Sequence, residues 1–126
     1  MPLVRLTLRP GKSPEFLHDA VEAVLAALVA KGNAPADSRF VIVDEVPADR
    51  TFIHPTYGGV ERSEEVILIE ITLNAGRTLE VKKAMYEEIV RRLGEAVDVR
   101  PDDVIISLTE VSKENWSFGR GLATYV

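Results

Sequence analysis

The sequence, 126 residues long, contains no cysteine. Disulfides, thiolate zinc sites and cysteine nucleophiles are therefore excluded together. Histidine occurs only at His18 and His54, at no ligand spacing, so no metal site and no cofactor are expected. No apolar run approaches a membrane span, and no apolar signal segment opens the chain. A cytoplasmic protein without a membrane partner is the expectation. Basic residues are the minority, 15 Lys and Arg against 20 Asp and Glu, for a net charge of −5. That weighs against nucleic acid as a partner. Aromatic residues make up only 6% of the chain and include one tryptophan, Trp116, so any clustering among them carries information.

The residues that are present describe a globular protein. Hydrophobic content is 46% and charged content 28%, enough for a real core under a solvated exterior. Length places residues 1–126 in a single domain. In Val4–Leu8, apolar Val4, Leu6 and Leu8 alternate with Arg5 and Thr7, the pattern of a half-buried strand. Ser13, Pro14 and Glu15 are three agreeing helix-start signals. The helix continues through Phe16, Leu17, Ala20, Val21, Val24 and Leu28 to Gly32, a natural C′ residue. Pro35-Ala36-Asp37 then turns into a second strand, Arg39–Val43, parallel to the first because a helix joins them. Residues 45–64 read as loop, with a short extended piece at Thr51–His54.

The pattern then repeats: strand Val66–Leu73, a helix capped by Thr78 and weakened at its end by Gly94, and strand Val104–Leu108. Leu6-Thr7-Leu8-Arg9-Pro10-Gly11-Lys12-Ser13-Pro14-Glu15 lies over Ile71-Thr72-Leu73-Asn74-Ala75-Gly76-Arg77-Thr78-Leu79-Glu80, and Glu45-Val46 over Glu110-Val111. The expected fold is α+β: two βαβ halves, about 1–46 and 65–111, form one four-stranded mixed sheet with two helices on one face. Residues 112–126 follow as a C-terminal segment. A sheet apolar on both faces needs a second cover, which a partner subunit supplies.

Pro2 opens the first strand. Once Met1 is removed, its nitrogen is a secondary amine, which titrates nearer neutrality than lysine. Burial among apolar groups lowers its pKa further, so it can act as a general base or acid with no side chain involved.

Pro2 opening a βαβ unit, the internal duplication, Pro101-Asp102-Asp103-Val104 and the closing Glu114-Asn115-Trp116-Ser117-Phe118-Gly119-Arg120-Gly121 together resemble the tautomerase superfamily. Within it, the chain is most similar to the malonate semialdehyde decarboxylase branch and its tautomerase relatives. The resemblance implies a homotrimer, a catalytic Pro2, an apolar wall of Trp116 and Phe118, and a reaction on a small 2-oxo or 3-oxo carboxylic acid. The decarboxylases carry two arginines after the third strand, where this chain has Asn74 and Gly76, with Arg77 one place later. That departure shifts the expectation towards keto–enol tautomerisation, with decarboxylation as the alternative and a non-catalytic binding protein as a third reading.

Carboxylate binding falls to Arg77, at a helix start that already favours anions, or to Lys12, its counterpart in the first half. Asn74 is a candidate donor to a carbonyl oxygen. The family's aspartate position falls on Ser38, with Asp37 one residue early. Arg62 matches an arginine of decarboxylase relatives, and Tyr57 and His54 lie in a loop with Gly58 and Gly59. His18 reads as a rim residue.

Overall fold

The computed structural model describes residues 2–126. Four strands and two helices follow the order β1 (Leu3–Leu8), α1 (Pro14–Lys31), β2 (Phe40–Glu45), β3 (Ile67–Asn74), α2 (Leu79–Val97) and β4 (Val104–Val111). They form one mixed sheet in the order β2-β1-β3-β4. Each βαβ pair is parallel, and the two halves join antiparallel through β1 and β3, with Leu3 opposite Thr72. Both helices lie on one face. Val4, Leu6 and Leu8 of β1, with Ile67, Ile69, Ile71 and Leu73 of β3, meet Val24 and Leu28 of α1 and Met85, Ile89 and Leu93 of α2. Burying each of the larger side chains stabilises the fold by roughly 2 kcal/mol.

Local chemistry explains the helix starts. The Ser13 hydroxyl accepts the Phe16 N–H at 3.1 Å, and the Thr78 hydroxyl accepts that of Val81 at 3.2 Å. The helix ends differ from expectation. Gly32 has a φ of −103°, and the left-handed residue is Asn33, at +57°. Gly32 is needed for close approach instead: a Cβ there would stand 2.8 Å from the Leu28 carbonyl oxygen and 3.1 Å from Met85. Gly94, expected to weaken the end of α2, lies within its last turns, and the helix continues to Val97 and stops at left-handed Asp98. Tertiary packing of Leu93 holds this last turn against the low helix propensity of glycine.

Residues 51–54 form no strand. Pro47 and Pro55 bracket them, and Phe52 is 91% exposed, so no sheet edge receives them. A 3₁₀ turn at Ala48–Arg50 follows β2, and another at Lys113–Asn115 follows β4, at matching places in the two halves. The sheet face away from the helices is mixed rather than uniformly apolar. Leu3, Phe40 and Ile42 are exposed there, beside an Arg5–Asp44 ion pair and Glu70. Alternation along a strand buried on one side admits charge on the other, which corrects the expectation of two apolar faces.

Lys82 of α2 reaches Glu110 of β4 at 2.6 Å. That hydrogen bond first, then the Gly76 N–H and the Arg77 charge, hold the Glu110 carboxyl below the usual glutamate range against a smaller opposing effect of burial. A depressed folded pKa means the stabilisation is complete above about pH 4.3 and is lost as pH falls through the lowered value. Lys82→Met should raise the Glu110 titration towards the ordinary glutamate range, read from its carboxyl carbon by NMR. An unmoved titration would show that Lys82 is not the cause.

Candidate active site

Sheet topology creates the site. Antiparallel pairing brings the start of β1 beside the end of β3, and parallel pairing brings the start of β2 beside the start of β1 on its other edge. Pro2, Phe40 and Asn74 therefore share one corner. Beyond β4, the chain turns at Lys113–Asn115 and crosses back over that corner. Trp116 Nε1–H donates to Asn74 Oδ1 at 2.7 Å. The Phe118 ring stacks on Trp116 (centroids 5.3 Å apart, planes 12° apart), tilts against Phe40 at 5.8 Å and meets Tyr125 edge-on at 5.4 Å. Such ring pairs contribute about 1 kcal/mol each beyond their buried area. The segment also folds on itself, with Phe118 N–H donating to Thr124 Oγ1 at 3.1 Å.

A cavity of about 450 Å³ results, with Pro2, Leu3 and Phe40 on one side and Trp116 to Gly119 on the other. Pro2 lines it while its side chain is almost wholly shielded from solvent. Every lining residue is uncharged. A basic nitrogen placed here would be held towards its neutral form by desolvation.

Of the residues singled out in the sequence, Pro2, Trp116 and Phe118 meet around this cavity, with Asn74 behind the indole. Arg77 is at the same end, but its guanidinium is engaged: Nε donates to the Gly32 carbonyl at 2.6 Å and Nη1 to the Asn74 carbonyl at 3.0 Å. Lys12 lies at the opposite end of β1, paired with Glu65 and 5.0 Å above the Phe16 ring. Asp37 is exposed in the turn before β2 and does not line the cavity. His54 Nδ1 accepts the N–H groups of Thr56 and Tyr57 at 3.1 and 3.0 Å, and Arg62 Nη1 donates to the His54 carbonyl at 3.0 Å. These groups hold their own loop, with Tyr57 79% exposed. His18 is exposed on α1 beside Asp19.

Phe40 and Tyr125 were not singled out in the sequence. For Phe40, the available signal was an aromatic residue opening β2 on the face away from the helices.

Asn74 acts here as a positioning residue, because its side-chain oxygen fixes the indole. Asn74→Ala removes one buried hydrogen bond, a loss of about 1 kcal/mol. It should shift the emission of the sole tryptophan to the red and increase its quenching by acrylamide. Asn74→Asp keeps an acceptor in place and should restore the native spectrum. An Ala variant with unchanged emission would remove this role.

Residues 38–119 match one tautomerase family and residues 2–60 a second, each described as tautomerase enzymes. A probable tautomerase of Bacillus subtilis, YusQ, is 36% identical over 126 residues, covering 100% of this chain and 99% of its own length. The crystal structure of malonate semialdehyde decarboxylase superposes with a TM-score of 0.91 at 29% identity, covering 98% of this chain and 95% of that one. A fused 4-OT, solved as a symmetric trimer, shares the fold with a TM-score of 0.80 at 24% identity, over 98% and 97% of the two chains. The chain thus has counterparts along its whole length, and it belongs to the tautomerases, a family of isomerase enzymes.

Proposed function

We propose that this chain is a keto–enol tautomerase for a small 2-oxo carboxylic acid, with the Pro2 nitrogen as general base and acid. The observation that carries this reading is the shielded Pro2 on the floor of an uncharged, aromatic-walled cavity. Met1 lies outside the described residues, and the chemistry requires its removal, since an acylated nitrogen has no basic pair. The free amine takes a proton from the carbon beside the keto group. That C–H electron pair becomes the C=C bond, the C=O π pair moves onto oxygen, and the protonated amine gives its proton to that oxygen as the enol forms; the reverse steps restore the keto acid.

Trp116 and Phe118 exclude water and hold the substrate's apolar part. The carboxylate needs a cation, and the lining of the cavity has none. Arg77 supplies positive charge from behind Asn74. Lys12, at the opposite end of β1 from Pro2, serves such a site only from a neighbouring subunit. A homotrimer meets that need and covers the exposed Leu3, Phe40 and Ile42; the trimeric fused 4-OT supports it. The partner reading is thus a small carbonyl acid and two further copies of the chain, in the cytoplasm, with no cofactor.

The likeness to malonate semialdehyde decarboxylase favours a second reading, loss of CO₂ from a 3-oxo acid. The two reactions set opposite demands on Pro2. A tautomerase base is largely neutral at pH 7, whereas a decarboxylase acid stays protonated there. Titration of the ¹⁵N-labelled Pro2 amine separates them: a pKa below 7 supports tautomerisation, and one well above 7 supports decarboxylation. Absence of turnover on either acid, with the Pro2 amine shown to be free, would leave only a binding protein on this scaffold.

A further inference from the structure

The duplication gives the Pro2 cavity a counterpart. At the other end of the sheet lies a cavity of about 590 Å³. Leu68 lines it as Leu3 lines the first, and the chain after the Ala48–Arg50 turn covers it as the chain after Lys113–Asn115 covers the first. Phe52 and Ile53 stand where the first has Ser117 and Phe118. Two differences change its chemistry. The position matching Pro2 is Ile67, whose nitrogen is a peptide amide within β3, so no basic amine exists there. The position matching Asn74 is Arg9, and Arg50 and Arg62 join it on the lining, against Glu64 as the one acid.

Arg9 Nη1 and Arg62 Nε are both buried, and neither has a hydrogen-bond partner among the described residues. Buried guanidinium N–H groups left unpaired are costly, and a carboxylate satisfies them in the geometry a guanidinium prefers. The remaining lining is largely apolar, including Leu8, Val46 and Val66. That combination suits a ligand with one anionic end and a hydrocarbon body.

We propose that this second cavity binds a small monocarboxylate without transforming it, as the non-reacting counterpart of the Pro2 cavity. The ligand class rests on the guanidiniums and not on the proposed proton transfer, so the two stand or fall separately.

Benzoate, which has no enolisable carbon, is the probe, titrated into the full chain and into Pro2→Ala while the arginine Nε–H signals are followed by NMR. Saturable shifts of Arg9 and Arg62 are expected in both proteins. Arg62→Met should weaken binding by about tenfold or more, while Arg92→Met, on α2 away from this lining, should not. If Arg9→Met fails to fold, Arg9→Lys keeps the charge but loses the fork and should also weaken binding. Shifts confined to Trp116 and Phe118, undiminished affinity in Arg62→Met, or displacement by equimolar chloride would each overturn the proposal. Loss of turnover in Pro2→Ala with silent arginine signals would defeat this site and leave the tautomerase reading intact.

Discussion

Pro2→Ala lowers kcat/KM for ketonisation or enolisation of a small 2-oxo acid such as phenylpyruvate by roughly 100-fold or more, the range that a positioned general base supplies. The variant keeps a terminal amine, with an ordinary pKa near about 8, but loses the ring that fixes the lone pair and fills the corner beside Leu3 and Phe40. A chain that retains Met1 should lose more, about 10⁴-fold, because its residue-2 nitrogen is an amide. Position at the end of β1 protects the fold from both changes, since no ladder partner precedes Leu3 opposite Phe40. Unchanged tryptophan emission would certify that. Equal rates for the native chain and Pro2→Ala, each with Met1 shown by mass spectrometry to be absent, would end the proton-transfer reading.

Asp103→Ala has the largest expected effect on stability. The residue is 1% exposed. Its carboxylate accepts the Ser63 N–H and the Ser63 hydroxyl, each at 2.7 Å, and pairs with Arg100 at 3.4 Å. Truncation leaves those donors without an acceptor and frees the loop before β3, at a cost of about 2–3 kcal/mol. Melting should fall by roughly 10 °C for a domain of this size. Asp103→Asn keeps one acceptor and should fall about half as far. A drop of only a degree or two in the Ala variant would mean that the loop is held elsewhere.

The same aspartate shows where sequence reasoning reached its limit. Asp103 stands in the turn before β4, where nothing local marks an aspartate for burial. It is buried because Ser63, forty positions away, supplies its donors. Loop 45–64 was opaque for the same reason: Asp102 accepts the Glu61 N–H, and Arg100 donates to the Glu61 carbonyl, across a distance no local pattern records. By contrast, β1, α1, β3 and the start of α2 were legible, since alternation and capping act within a few residues. At the site, Pro2, Trp116 and Phe118 stood out through position and rarity. Arg77 looked like a free cation because its acceptor on Gly32 comes from the end of another helix. Asn74 looked like a substrate donor because its tie to Trp116 spans β4 and the turn beyond it.

The crossing segment sets two kinds of material against each other. The nitrogen projects from a central strand, gripped on both edges by neighbours and backed by packed helices, and is therefore the least deformable point of the corner. The opposite wall belongs to a strap secured by one amide and a few ring edges. Drift in the strap can resize the opening while Pro2 keeps its place at the head of β1, so the width of the cavity and the aim of its floor are set by separate parts of the chain.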